Sequence, residues 1–218
     1  AAAPGATTPS TGMSGSFSCK YGNAGVVAVL PYLQEMLPDM PVLGVVAPGA
    51  AAAVAATTNK RIIVLATETT IASNAYQQLI IQKLPQAEIN TRACSVLVAL
   101  AEEGMVNNQV AREALKHYLD GFTHEDTVLL GCTHFPVFKP LLHSLLPQGV
   151  TIVDSAHATS LALQQLLEKQ DLLSNVPALH RKMNYLVTDS IKRFQIVGEI
   201  FLGEQLASAD IELVDVRP

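Results

Sequence analysis

The 218-residue chain is poor in the residue types that mark several protein classes. It has no tryptophan, five tyrosines and six phenylalanines, and its 14 Lys and Arg are outnumbered by 19 Asp and Glu, for a formal charge of −5. An acidic chain with only 15% charged residues lacks the broad basic surface that attracts nucleic acids and anionic membranes. We therefore expect neither as a partner.

Long apolar runs and cysteine pairs are also scarce. Pro, Gly or a charged residue interrupts every apolar stretch before the roughly 18 to 20 residues that a membrane-spanning helix requires, so an integral membrane protein is not expected. The three cysteines, Cys19, Cys94 and Cys132, are too few for a disulfide scaffold and fit a reducing compartment such as the cytoplasm. Residues 1–17 are mostly small or polar and match no secretory signal, so we expect a flexible arm.

Apolar runs of strand length alternate with helical patterns from about residue 26 onward. The predicted strands are 42–46, 61–66, 87–93, 127–132, 150–156, 183–190 and 211–216. The predicted helices are 26–37, 50–59, 73–83, 96–119, 137–146, 159–169 and 191–206. This alternation predicts an α/β protein with parallel sheets.

Three loops that follow predicted strands are unusual in composition. They are ATETT (66–70), GCTHFP (131–136) and DSAHATS (154–160). Ligands bind beyond the carboxyl ends of the strands in parallel α/β sheets, so these loops are the places to look for chemistry. Neither GxGxxG nor GxxxxGK[ST] occurs, which leaves a dinucleotide or P-loop site without support.

The loop GCTHFP carries the strongest chemical signal. Cys132 directly follows an apolar strand, His134 lies beside it, and a helix is expected to begin there. A helix N-terminus and an imidazole both lower a thiol pKa from about 8.5 to roughly 3.5–7.5, which would make Cys132 a nucleophile or a general base. The alternatives are a small buried hydrophobic residue or, more weakly, a zinc ligand, for which this loop supplies only two donors.

The loop ATETT offers hydroxyl groups at the start of a helix. Thr67 and Thr70, with backbone N–H groups, could hold a carboxylate or phosphate, although ordinary helix capping explains them equally well. Cys94 lies at a strand-to-helix junction, where we expect a structural role. Asp154 is a candidate helix cap.

Six blocks of the sequence, in order, resemble the signature blocks of the glutamate racemases. They are PVLGVVAPGA (41–50), TETTIASNAY (67–76), RACSVLVALAEEG (92–104), GCTHFP (131–136), VDSAHATS (153–160) and FLG (201–203). The resemblance runs from about Leu30 to the C-terminus. It implies two Rossmann-like α/β domains with mostly parallel sheets and an active site in the interdomain cleft. It assigns residues 1–47 and 156–218 to the first domain and residues 48–155 to the second.

The resemblance also implies an activity and a set of site residues. Members of this family interconvert L- and D-glutamate without a cofactor and supply D-glutamate for peptidoglycan, and so for cell wall biogenesis and cell shape. Two cysteines face each other across the substrate α-carbon, so that one removes a proton while the other donates one. Carried over to this chain, the catalytic residues are Cys132, its assisting His134, and Glu102, which supports His134. The substrate-binding residues are Thr133, Thr70, Thr67 and Asn23.

The block around the family's first cysteine departs from the pattern. The register set by Pro31 places that cysteine at Gly22, within KYGNAGVV, where Asn23 matches the family asparagine. Cys19 lies three residues away and is the candidate for the second thiol. The family's Asp-Ser-Gly and Pro-Tyr-Gly motifs are not found. We therefore expect a truncated or altered racemase with reduced stability, in which racemisation is largely lost and a single thiolate exchanges the α-proton of one enantiomer.

Three hypotheses for the function are open at this point. The first is a glutamate racemase, and the second is a non-catalytic relative that keeps a glutamate-binding or protein-binding surface. The third is an aspartate racemase, because spacing alone does not reveal the length of the substrate side chain. The expected partners are glutamate and a second copy of the chain, since the family often forms dimers. No metal is expected.

Overall fold

The computed structural model describes residues 30–122, 124–174 and 183–215. The strands are β1 (Arg61–Ala66), β2 (Glu88–Ala93), β3 (Thr127–Leu130), β4 (Thr151–Asp154), β5 (Tyr185–Val187) and β6 (Ile211–Leu213). The helices are α1 (30–36), α2 (Val46–Ala56), α3 (Glu68–Ala72), α4 (Ala75–Lys83), α5 (Ser95–Glu102), α6 (Gln109–Tyr118), α7 (Lys139–Leu145), α8 (Ser155–Lys169) and α9 (Ile191–Leu202). The predicted α/β class is confirmed.

The larger sheet has four parallel strands in the order β2-β1-β3-β4. Its two central strands are the largely apolar runs RIIVLA and TVLL, in which every residue except Arg61 is buried. Alternate side chains point to opposite faces, so Ile63 and Leu65 pack with α5, α6 and α7, whereas Ile62 and Val64 pack with α2 and α4. The sheet is therefore covered on both faces, as a parallel sheet requires.

The smaller sheet pairs β5 with β6 in parallel. Helix α9 connects the two strands and covers one face, where Val187, Leu206 and Ile211 are buried with Phe194 packed against them. The same helix also contacts the short 3₁₀ turn Phe135–Phe138 that follows the loop after β3. The smaller sheet is thereby connected to the carboxyl end of β3.

The prediction of a strand at 42–46 is wrong. Residues 41–44 have no regular structure, and α2 begins at Val46. The apolar β-branched run favours a strand by propensity, but Pro48 fits the first turn of a helix, where its missing N–H group has no partner to lose. Val46 is also buried as a helical residue, at 2% exposure.

The long helix predicted over 96–119 is two helices. Helix α5 ends at Glu102, Gly104 follows with φ +70°, and α6 begins after Asn108. The left-handed conformation suits glycine and ends the first helix. The side chain of Asn108 accepts a 3.0 Å hydrogen bond from the backbone N–H of Ala111 and so caps the second. The sequence contains both signals, since glycine and asparagine are typical of helix ends.

Within the described residues, the remaining predicted elements are present with altered ends. The predicted arm (1–17) and residues 26–29 of the first predicted helix lie outside the described residues. Helix α8 begins at Ser155, earlier than predicted, because the Asp154 carboxylate caps it by accepting hydrogen bonds from the N–H groups of Ala156 and His157 at 2.8 and 3.4 Å. Helix α9 ends at Leu202, where Gly203 has φ +71°. In the part of the chain that the structure describes, no helix combines the length and apolar character needed to cross a membrane.

Candidate active site

The candidate site lies at the carboxyl edge of the larger sheet, where β1 and β3 end side by side. Leu65 is the register partner of Leu130, and the N–H of Gly131 extends the ladder by donating to the Leu65 carbonyl at 2.8 Å. The loop that begins at Thr67 and the loop that contains Cys132 therefore leave the sheet from adjacent strands. The parallel topology brings two of the three predicted loops together in this way.

Gly131 allows this edge to pack closely. A Cβ atom at this position would lie 2.8 Å from Cε2 of Tyr76 and 3.2 Å from Cβ of Ala66. Tyr76 is fully buried among the residues of α2 and β1. The glycine therefore lets β3 pass against the tyrosine ring, and this contact fixes the backbone directly before Cys132.

The thiol of Cys132 is nearly buried, with 7% of the residue exposed. Burial raises the pKa of this thiol, while the hydrogen bond from the backbone N–H of His134 acts in the opposite direction. The lowered thiol pKa expected from the sequence is therefore wrong for this structure. Burial outweighs the hydrogen bond from the His134 N–H, and the segment that follows is a four-residue 3₁₀ turn with a small dipole.

His134 connects the thiol to a carboxylate. Its Nδ1 lies 3.8 Å from Sγ of Cys132, and its Nε2 lies 3.4 Å from Oε1 of Glu102. A carboxylate beside Nε2 favours the tautomer that carries the proton there, which leaves the Nδ1 lone pair toward the thiol. In that tautomer the imidazole can accept the thiol proton, so the three side chains form an acid/base chain.

Glu102 and Thr133 complete the surroundings of His134. The second carboxylate oxygen of Glu102, Oε2, accepts a 3.0 Å hydrogen bond from Nη2 of Arg193 on α9. Thr133 is exposed, and its hydroxyl lies 3.4 Å from Nδ1 of His134. Beside Glu102, an open cleft of about 310 Å³ separates the end of α5 from the first turns of α9.

The two threonines after β1 form a hydroxyl pair. Oγ1 of Thr67 lies 3.0 Å from Oγ1 of Thr70, whose residue is 1% exposed. Only one hydroxyl of such a pair can donate to the other, so the second hydroxyl hydrogen can be donated to a ligand oxygen. The pair therefore suits a carboxylate or phosphate acceptor.

The structure brings together four of the residues predicted from the sequence, namely Cys132, Thr133, His134 and Glu102, and it places the Thr67 and Thr70 pair on the adjacent strand. Asn23 and Cys19 lie outside the described residues. Cys94 is fully buried, and burial raises its pKa to about 12, as expected of a structural thiol. Among the described side chains, no three His, Cys, Asp or Glu residues are grouped to hold a metal ion.

Arg193 is the residue that sequence reasoning missed. It is 91 positions from Glu102 along the chain, and only the packing of α9 against the loop after β3 brings the two together. The sequence signal was limited to two basic residues in the first turn of a predicted helix. Such residues are ordinarily solvated, so nothing in the sequence distinguished this one.

Comparison with known proteins identifies the family. The family model for Asp/Glu/hydantoin racemases matches residues 25–163. A glutamate racemase from Syntrophus aciditrophicus is 39% identical over 187 residues, which are 85% of this chain and 69% of that protein. A glutamate racemase from Lactiplantibacillus plantarum is 34% identical over 184 residues, or 84% of this chain and 67% of the relative.

Solved structures agree with the sequence comparison. A glutamate racemase from Bacillus anthracis superposes with a TM-score of 0.80 at 30% identity, covering 89% of this chain and 72% of the other. A glutamate racemase from Francisella tularensis, solved with D-glutamate, gives a TM-score of 0.77 at 29% identity over 89% of this chain and 71% of the other. The chain therefore belongs to the Asp/Glu/hydantoin racemase family, in which it groups with the glutamate racemases.

Proposed function

We propose that the chain is a glutamate racemase, an isomerase in which Cys132 exchanges a proton with the α-carbon of the substrate. The observation that carries this proposal is the chain of contacts from the Cys132 thiol through His134 to Glu102 at the strand edge. The kinship with glutamate racemases supplies the substrate. The reaction as proposed uses side chains as acid and base, and no cofactor takes part.

The first step is the activation of the thiol. His134 accepts the proton of Cys132 at Nδ1, and the negative carboxylate of Glu102 stabilises the imidazolium through Nε2. The resulting thiolate removes the α-proton of one glutamate enantiomer, whose electron pair remains on the α-carbon. In the reverse direction the thiol returns this proton to the same face.

Inversion requires a second acid on the opposite face of the α-carbon. We propose Cys19 as the candidate second thiol and Asn23 as a substrate-binding neighbour, both from the resemblance to the family. Both residues lie outside the part of the chain that the structure describes. If the opposite face has no acid, the remaining reaction is exchange of the α-proton with retention of configuration.

We further propose that Thr67 and Thr70 bind a substrate carboxylate and that Thr133 contacts the substrate beside the thiol. The hydroxyl pair has a hydrogen that can be donated, and Thr133 is exposed next to His134. The two loops leave adjacent parallel strands, which supports their acting on one ligand. Substitution of either paired threonine is expected to raise KM more than it lowers kcat.

We also propose the domain arrangement, the location and the biological role from the kinship with glutamate racemases. Residues 1–47 with 156–218 and residues 48–155 form two domains, and their closure over glutamate excludes water from the thiol. The separate β5–β6 sheet and the contact of α9 with the 3₁₀ turn support this division. The enzyme works in the cytoplasm as a homodimer and supplies D-glutamate for peptidoglycan, on which the cell wall and cell shape depend.

Circular dichroism of L- and D-glutamate incubated with the chain tests the function, with L- and D-aspartate as the comparison for specificity. If Cys19 acts as the second thiol, optical activity is lost from either glutamate enantiomer and is retained with aspartate. Cys132→Ala should abolish turnover, whereas Cys94→Ala, which also removes a buried thiol, should retain it. A folded chain that racemises aspartate but not glutamate would overturn the assignment of substrate, and equal turnover in Cys132→Ala would overturn the assignment of the thiol.

A further inference from the structure

Helix α9 contacts the acid/base chain at two separate points. Near its start, Nη2 of Arg193 donates to Oε2 of Glu102 at 3.0 Å, while Oε1 of the same carboxylate lies 3.4 Å from Nε2 of His134. Just over two helical turns later, the ring of Phe201 meets the imidazole edge to face, with centroids 5.4 Å apart and planes at 89°. The helix therefore constrains His134 both through its carboxylate partner and directly.

We propose that Arg193 is a positioning residue that holds Glu102 so that the Nδ1 atom of His134 faces the Cys132 thiol. Glu102 lies at the last position of α5 and is partly exposed, with a side-chain exposure of 38%. Without a partner on Oε2, this carboxylate can rotate into solvent and leave Nε2. The guanidinium occupies Oε2 and leaves Oε1 for the imidazole, which sets the tautomer that the thiol requires.

Because the ion pair between Arg193 and Glu102 is exposed, stabilising the fold is not a sufficient role for it. The side chain of Arg193 is 63% exposed, and exposed ion pairs contribute little to stability. Removing its charge should therefore leave the fold intact while changing the chemistry. The pair also connects the smaller sheet, on which α9 packs, to the thiol at the edge of the larger one.

The test is the rate at which iodoacetamide alkylates Cys132, read by mass spectrometry at pH 7 to 10.5 in the full chain. This inference rests on the proposed function, but thiol reactivity can be measured without turnover of glutamate. Arg193→Met keeps the apolar stem and removes the guanidinium, and Arg193→Lys keeps a charge. Lys192→Met is the matched control, because it makes the same kind of change one residue earlier on the same helix.

We expect Arg193→Met to slow alkylation about tenfold at pH 7, the scale on which outer partners of reactive groups act. The deficit should shrink toward pH 10.5, where hydroxide removes the thiol proton without His134. Among the described residues, the titratable side chains that meet the imidazole are Glu102 from α5 and Cys132 from its own loop, and Arg193 from α9 reaches it through Glu102. Arg193→Lys should recover most of the rate, and Lys192→Met should match the wild type.

A second background separates positioning through Glu102 from any other effect. In Glu102→Gln, the further change Arg193→Met should alter the rate by less than about twofold, because the carboxylate through which it acts is gone. The inference is overturned if Arg193→Met behaves like Lys192→Met, if its deficit is the same at every pH, or if the full deficit persists in Glu102→Gln. If the wild type racemises glutamate but Arg193→Met is alkylated at the wild-type rate, the inference fails and the proposed function stands. If the alkylation pattern is as expected but the chain does not turn over glutamate, the proposed function fails and the inference stands.

Discussion

The two described cysteines share burial but differ in their neighbours. Cys94 is fully enclosed and its thiol donates to the Arg92 carbonyl at 3.4 Å, whereas Cys132 lies within reach of an imidazole. The pairing of Cys132 with His134 could be predicted, because the two residues are close in sequence. The role of Glu102 came only from resemblance to a family, and that of Arg193 could not be predicted, because a contact across 91 positions leaves no local pattern.

At the residue scale, His134→Asn should lower kcat for glutamate by about 10²- to 10⁴-fold, the usual contribution of a positioned acid/base group. Asparagine keeps a polar group of similar size but cannot accept the thiol proton at neutral pH. KM should change much less, because the residue acts on the thiol. Steady-state kinetics measure both constants, and a rise in KM with an unchanged kcat would instead make His134 a binding residue.

The buried thiol of Cys94 should make the folded chain less stable at alkaline pH. Burial raises its pKa to about 12, so the unfolded chain releases this proton first. The stabilising effect is complete below pH 9 and is lost between about pH 9 and 12. The free energy of unfolding, measured with urea, should fall between pH 8 and pH 10. This fall should be about 1 kcal/mol smaller in Cys94→Ala than in the wild type. An identical pH dependence in the two proteins would refute this account.

At the scale of elements, the position of Cys132 depends on how β3 packs against α4. Gly131→Ala places a Cβ atom 2.8 Å from the buried ring of Tyr76, so the strand end must shift. We expect a loss of about 1–3 kcal/mol in the free energy of unfolding together with a fall in kcat. Chemical denaturation and kinetics measure the two effects. In a Tyr76→Leu background the cost of Gly131→Ala should be smaller, and an equal cost would show that the ring is not the obstacle.

The opposite end of the sheet depends on Asp126, which precedes β3. Its carboxylate accepts hydrogen bonds from the hydroxyls of Thr57, Thr58 and Thr127 and from the N–H groups of Thr58 and Asn59, at 2.6–2.9 Å. Burial opposes ionisation, but these donors together hold the pKa of Asp126 well below its ordinary range. The contacts join the turn between α2 and β1 to the start of β3.

Asp126→Asn should therefore lower the free energy of unfolding by about 1–3 kcal/mol at pH 7. A lowered pKa stabilises the folded chain above about pH 4, and this contribution is lost as the pH falls toward the folded-state value. The variant should accordingly lose less stability than the wild type between pH 5 and pH 2. Thermal unfolding across this range measures the difference. Its kcat should be unchanged, because the residue lies at the other end of the sheet from the thiol.

At the scale of the whole molecule, the alternation of apolar strands and helices was enough to predict an α/β fold with parallel sheets. Strands 61–66 and 127–130 were predictable because both are uninterrupted apolar runs, as strands buried on two faces must be. The segment 42–46 is also apolar but forms a loop and the start of α2, because Pro48 and the burial of Val46 favour a helix over the strand that its β-branched residues favour. Sequence reasoning could not show how α9 sits against the loop after β3.

The proposed role of Cys132 is to exchange a proton with the α-carbon of glutamate. Proton NMR of D- and L-glutamate in D₂O tests it most directly, because loss of the α-proton signal reports proton removal whether or not inversion follows. We predict exchange of at least one enantiomer in the wild type and in Cys94→Ala, and no exchange in Cys132→Ala. Exchange of neither enantiomer by the folded wild type, or equal exchange by Cys132→Ala, would contradict the account.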